Sequence, residues 1–288
     1  MKPAHILLAL LVALIWGFNF VAIKVGLGSM PPLLFSALRF ALAAAPFLLI
    51  YRTPGVAWKW IVGIGLSLGV AKFGLLFVGM DQGMPAGLSS AVLQTQAFFT
   101  MGFAAVALGE KPKPRQVAGL LLAFIGVLVI AGDLSGGNLR AFLMVIGAAV
   151  FWGISNILTR RAAAPDPLRL MVWVSVVPPL PLLALSWAVE GPERIQAAIG
   201  GMTWLGFGAL AYVAFAATIV GFGLWSYLLK RYPAATVAPF SLLVPLFGLS
   251  FGALLLNERP GAVKLAGATL IVLGVAANSW PSAKKGTA

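Results

Sequence analysis

The chain has 288 residues, of which 61% are hydrophobic and only 9% charged, against about 25% charged in an ordinary soluble domain. A water-facing surface cannot be built from that composition, so the chain must use lipid as its outer solvent. Its net charge of +13 comes from basic residues strung singly and in pairs between long apolar runs, without a basic patch or an aromatic RNA motif, which argues against nucleic acid. With no cysteine and one histidine, His5, disulfides, thiolate chemistry and a multi-histidine metal site are excluded, and no cofactor is implied.

A membrane helix needs about 20 mainly apolar residues to cross ~30 Å of hydrocarbon. Apolar runs between charges, Pro and Gly breaks predict ten spans, at 4–27, 32–51, 58–80, 86–108, 114–132, 140–161, 168–188, 203–229, 234–256 and 262–280. The first follows Lys2 like a signal sequence, but further spans follow without a cleavage site, so it reads as a retained helix. Connections are short apart from a loop near 189–202, which leaves no room for a separate soluble domain.

Charge fixes the expected threading. With the N-terminus cytoplasmic, that side holds thirteen of the 20 basic residues, including Arg52, Lys59, Lys111, Arg160, Arg231, Lys284 and Lys285. The far side holds five: Lys24, Arg140, Arg194, Arg259 and Lys264. This is the positive-inside bias with both termini cytoplasmic. Trp58, Trp60 and Trp280 stand at span ends, where interfacial aromatics belong.

The chain also repeats itself. Segment 85–126 aligns without a gap on 233–274. Pro85-Ala86 meets Pro233-Ala234, Phe99 and Phe103 meet Phe247 and Phe251, and Glu110-Lys111-Pro112 meets Glu258-Arg259-Pro260. Ala118-Gly119 meets Ala266-Gly267, and Gly126 meets Gly274. Earlier in each half, at an offset shorter by the longer loop, Trp16-Gly17 meets Trp152-Gly153 and Lys24 meets Arg160. Shared apolar composition does not explain the paired Pro-Ala and Glu-basic-Pro anchors. Each half, 1–133 and 134–288, therefore holds five spans. Five is odd, so the second half enters the bilayer upside down. Inverted repeats build many secondary transporters, with the substrate between the halves near the midplane. The expected fold class is an all-α integral membrane protein: ten transmembrane helices as two inverted-topology five-helix repeats.

Ten spans, duplicated halves, the Trp16-Gly17-x-Asn19 opening and the Glu-x-Pro endings resemble the EamA family of the drug/metabolite transporter superfamily. Within it the chain is most similar to YddG-type amino-acid exporters. The resemblance implies export of amino acids or similar small metabolites across the bacterial inner membrane. It also implies a central cavity lined by spans 1, 3, 4, 6, 8 and 9, with spans 5 and 10 peripheral.

All seven carboxylates, Asp81, Glu110, Asp133, Asp166, Glu190, Glu193 and Glu258, lie at span ends or in loops. A proton-coupled exporter of lipophilic cations wants a buried acid, and a membrane enzyme wants a reactive constellation at depth. Neither is present, so the reading is not an enzyme. Glu110 and Glu258 read as structural residues of helix ends.

Arg39 and Lys72 are the intramembrane charges, and each costs several kcal/mol unless it faces water, a partner or the interface. Either they snorkel or bond backbone carbonyls, or Lys72 attracts a substrate carboxylate inside the cavity. Asn19, Asn156 and Gln94 are neutral amides that can bond either end of a zwitterion, or alternatively bridge helices. Trp16, Phe73, Phe77, Phe98, Trp152, Tyr212 and Phe215 fall on the spans that the resemblance places around the cavity, where aromatic surface would hold apolar side chains; lipid-facing or packing roles are the alternative.

These eleven residues, Lys72, the three amides and the seven aromatics, are the candidate substrate site. The expected function is alternating-access export of amino acids, aromatic and other largely neutral ones, with the bilayer as surroundings and no obligate protein partner evident. The alternative is an organic-anion or sugar-phosphate transporter that recognises its substrate with Lys72 and Arg39.

Overall fold

The computed structural model describes residues 1–133, 136–232 and 234–279. Pro233, Trp280, Lys284 and Lys285 lie outside the described residues. Among the described residues every regular element is a helix. We label α1 Pro3–Leu27, α2 Pro32–Leu48, α3 Trp58–Asp81, α4 Ala86–Leu108 and α5 Pro114–Gly132. Then follow α6 Gly136–Ala162, α7 Pro167–Val189, α8 Trp204–Arg231, α9 at 234–256 and α10 Ala262–Ser279.

Seven of these helices are long and apolar enough to cross a membrane; α2, α9 (Phe240–Leu256) and α10 (Ala262–Ala277) contribute shorter apolar helices. Helix starts follow local rules. Pro occupies the first turn of α1, α2, α5 and α7, where its missing N–H costs nothing. Asp166 caps α7 through the amides of Leu168, at 3.0 Å, and Arg169, at 3.3 Å. The segment near 189–202, expected as a loop, instead contains a short helix, Pro192–Gly200. Gly191, at φ +83°, supplies the left-handed turn that lets it start, and Glu193 sits in its first turn.

Several helices depart from α geometry at their middles. Gly65–Lys72 in α3 and Tyr212–Val220 in α8 are π-helical. Leu93–Thr95 in α4 and Ala238–Leu242 in α9 are 3-10. Such stretches free or redirect backbone groups and occur at functional sites. In α7 the prolines interrupt the helix between Val174 and Pro179.

Small residues set the helix contacts. A Cβ at Gly65 or Gly69 would collide with Val177 or Pro178, so the G-x-x-x-G pair of α3 seats the break in α7. Positions 148 apart make matching contacts. A Cβ at Gly126 would meet the Gly267 carbonyl, one at Gly267 the Gly126 carbonyl, and one at Gly274 the Gly119 carbonyl, so α5 and α10 pack backbone to backbone. Gly17 packs on Phe247 and Gly153 on Phe99, which pairs α1 with α9 and α6 with α4.

The chain turns alike at two places. Gly109 after α4 has φ +68° and Asn257 after α9 has φ +54°. Behind them the amides of Glu110 and Glu258 donate to the carbonyls of Ala104, at 3.3 Å, and Gly252, at 3.1 Å.

Candidate substrate site

A cavity of about 310 Å³ lies between the helices, within the range of small-molecule sites. Its floor and walls come from α1 (Trp16, Asn19), α3 (Lys72, Phe73), α4 (Gln94, Gln96), α6 (Trp152, Asn156), α8 (Ala217, Trp225) and α9 (Ser241, Val244), with Arg39 reaching in from α2.

The two cations are 2% and 4% exposed and meet around one ring. The Lys72 ammonium lies 3.2 Å from the centroid of Phe73 and 4.6 Å from that of Trp152. The Arg39 guanidinium lies 4.0 Å from the Phe73 ring and 4.9 Å from Phe40. Ring faces attract a cation by about 2 kcal/mol or more when water is excluded, which offsets part of the burial cost. One Arg39 nitrogen donates to Thr218 Oγ1 at 2.8 Å. Its Nε and Nη1 are buried without a partner.

Other described acids are engaged elsewhere or stand at the surface. Glu190 accepts from the amides of Leu33 and Leu34, at 2.7 and 3.2 Å, at the start of α2. Glu258 accepts from Ala86 and Gly87, at 2.6 and 2.9 Å, at the start of α4. Glu110 pairs with Arg160 and Asp133 with Lys264 at 3.4 Å, while Asp81 and Glu193 are exposed. Among the described residues no carboxylate lines the cavity.

The amides are partly committed. Asn156 donates to Gln96 Oε1 at 2.8 Å and to Thr100 Oγ1 at 3.0 Å, bridging α6 to α4. Gln94 donates to the Ser241 carbonyl at 3.2 Å, an oxygen of the 3-10 stretch of α9. Asn19 Oδ1 is buried without a partner. Trp16 donates to the Ala217 carbonyl at 3.0 Å and packs on Phe222 and Trp225.

Of the eleven sequence candidates, Trp16, Asn19, Lys72, Phe73, Gln94, Trp152 and Asn156 line this cavity. Four stand elsewhere. Phe77, fully buried, packs against Phe35 and Phe73 on the α2 side. Phe98, one turn below Gln94, turns into a cluster with Ala123 and Val275, because the 3-10 stretch rotates the face of α4. Tyr212 donates to the Ile15 carbonyl at 2.9 Å and packs on Phe18. Phe215, 39% exposed, lies on the outer side of the π-helical stretch. Tyr212 and Phe215 were marked by their span alone, and Phe77 and Phe98 also by an i, i+4 spacing to Phe73 and Gln94; neither signal specifies which way a ring points.

The lining also includes Phe20, Leu76, Ser90, Leu93 and Phe222, which nothing in their local sequence marks. Gln96 was visible as a mid-span polar residue beside Gln94.

The EamA-like transporter family matches residues 4–132 and again 139–280. The chain belongs to this family. A "Probable amino-acid metabolite efflux pump" of Salmonella typhimurium is 43% identical over 278 residues, covering 94% of this chain and 93% of the relative. The Escherichia coli protein of the same description is 41% identical over the same shares. An "Uncharacterized inner membrane transporter YedA" of Escherichia coli is 25% identical, covering 91% and 86%. A solved crystal structure, 21% identical, superposes with a TM-score of 0.61 over 96% of each chain, a likeness of fold. The chain is a multi-pass inner-membrane transporter.

Proposed function

We propose that the protein exports amino acids and related small metabolites by alternating access, acting as a carrier and not as an enzyme. Its two five-helix halves, 1–133 and 134–288, are inverted repeats with both termini cytoplasmic, and the cavity between them opens to one side at a time. Support comes from the two family matches, one per half, and from efflux-pump relatives above 40% identity.

The observation that carries the reading is the cavity itself: two buried cations around Phe73, amides and indoles beside them, and no acid in the lining. Lys72 and the free Arg39 nitrogens take the substrate carboxylate. Asn19 accepts from the substrate nitrogen, and Trp16, Trp152 and Phe73 cover the side chain. A carboxylate brought in by the substrate supplies the counter-charge that the chain lacks.

The same two cations favour a second reading, an organic anion or sugar phosphate as substrate. Counterflow in proteoliposomes with labelled neutral amino acids and with phosphorylated sugars, each with and without a pH gradient, separates the two. Exchange of amino acids upholds the first reading. Exchange of the phosphates alone replaces it with the second, and exchange of neither ends both.

A further inference from the structure

Glu110 and Glu258 occupy equivalent positions 148 residues apart, on matching backbone. Each follows a left-handed residue, Gly109 or Asn257, and each amide returns to the equivalent carbonyl, Ala104 or Gly252. Their side chains nevertheless do different things. Glu258 reaches across to α4 and accepts from both Ala86 and Gly87. Glu110, at the opposite end of α4, is half exposed and paired with Arg160 at the end of α6. The residue equivalent to Arg160 is Lys24, at the end of α1, and it bonds the Met80 carbonyl at 2.7 Å. Two copies of one device are thus seen in two settings.

We propose that these carboxylates are exchanging latches: in the opposite transport state Glu110 closes onto the amides of Ala234 and Ala235 at the start of α9, while Glu258 leaves α4 for Lys24. The proposal rests on the inverted-carrier reading above. A carboxylate at a helix start satisfies two orphan N–H groups and the helix dipole. Exchanged for a cation, it keeps a partner in both states, so neither state holds a stranded charge. One end of the bundle is clamped while the other is free.

The surroundings fit. Gly87 and Gly252 leave the room that the Glu258 carboxylate occupies; a Cβ at Gly252 would stand 2.5 Å from Oε2. A crevice lined by Met101, Thr100, Glu110 and Arg160 opens at the other end. The equivalent of Gly252 is Ala104, itself buried, whose methyl leaves the second latch less room and biases the protein toward the state seen here. Glu190 is a contrast. It caps α2 in the same way, but its equivalent 136 residues earlier is Pro54, so it has no alternate and stays a fixed cap.

The test uses the full chain, free of native cysteines, in proteoliposomes without substrate. Ser90→Cys reports the Glu258 end and Met101→Cys the Glu110 end, by rate of reaction with an impermeant maleimide. Glu258→Gln should raise Ser90→Cys labelling and lower Met101→Cys labelling, changing the ratio of the two rates about tenfold in all, since a lost cap weakens its state by that order. Glu110→Gln should shift both in the reverse sense, and the double variant should return near the parent balance. Arg160→Gln should raise Ser90→Cys labelling about twofold, as expected for an exposed pair, and do nothing once Glu110 is Gln.

If both single variants move the two reporters in the same direction, or move neither, the carboxylates are static caps and the proposal is overturned. Should Glu258→Gln fail to insert, the Arg160→Gln and Glu110→Gln pair decides alone by the same coupling. Labelling is read without substrate, so absent amino-acid counterflow with responsive labelling refutes only the functional reading. Intact counterflow with unresponsive labelling refutes only the latches.

Discussion

Arg39 and Lys72 share the ring of Phe73: the guanidinium stands 4.0 Å and the ammonium 3.2 Å from its centroid. Two like charges on different helices, α2 and α3, repel each other when buried. They hold this arrangement only because the ring, the Thr218 hydroxyl and the cavity lie between and around them.

Lys72→Met removes the ammonium that lies over the Phe73 and Trp152 rings while keeping an apolar stem. Counterflow should fall at least tenfold, with normal membrane insertion and an unchanged size-exclusion profile; the loss of one charge-assisted hydrogen bond, about 1.5–3 kcal/mol, corresponds to that factor or more. A variant that exchanges substrate at the parent rate would take Lys72 out of the site.

Arg39→Met should separate stability from transport. It replaces a buried cation with two unpartnered nitrogens by an apolar chain of similar length, a change that is often neutral or stabilising. The melting temperature in detergent should hold or rise while counterflow drops. Thr218→Val should do the reverse to stability, because it strips Arg39 of its one hydrogen-bonded partner and costs about 1–3 kcal/mol. A lower melting temperature for Arg39→Met than for Thr218→Val would contradict this account.

Gly69→Val should impair folding without touching the cavity. The added side chain would overlap Pro178, and overpacking costs about 1–3 kcal/mol. Thermal aggregation in detergent should begin several degrees lower, while purified protein that remains folded should keep its substrate preference.

Acidification acts on the exposed pair. The hydrogen bond from Arg160 holds the Glu110 carboxyl below its ordinary range. A carboxylate with a lowered folded pKa contributes stability that is present above its unfolded value and lost as pH falls through the folded one. The Glu110–Arg160 contact should therefore be unaffected between neutral and mildly acidic pH and open only well into the acid range. Met101→Cys labelling, followed with a pH-tolerant thiol reagent, should be flat from pH 7 to about 5; a midpoint near neutrality would be inconsistent with this pairing.

Much of the molecule was legible from the chain alone. The low charge content dictated a lipid solvent, and apolar run lengths marked the seven long apolar helices among the described residues to within a few residues, since both follow from composition and the rise per residue. Lys72, Asn19 and Trp16 stood out because polar or bulky side chains are costly or conspicuous in apolar helices. Phe77, Phe98, Tyr212 and Phe215 could not be sorted in that way. Their placement depends on π and 3-10 stretches that rotate helix faces by fractions of a turn, a displacement with no counterpart in residue type.

The carboxylates mark the boundary most clearly. Their positions at helix ends were written in the sequence, and so was the pairing of Glu110 with Glu258 across the repeat. Which helix start or which cation each one serves was decided only in three dimensions. Glu190 meets Leu33 from 157 residues away and Glu258 meets Ala86 from 172. A hydrogen bond needs two groups within about 3 Å, and only the packing of distant helices brings such groups together.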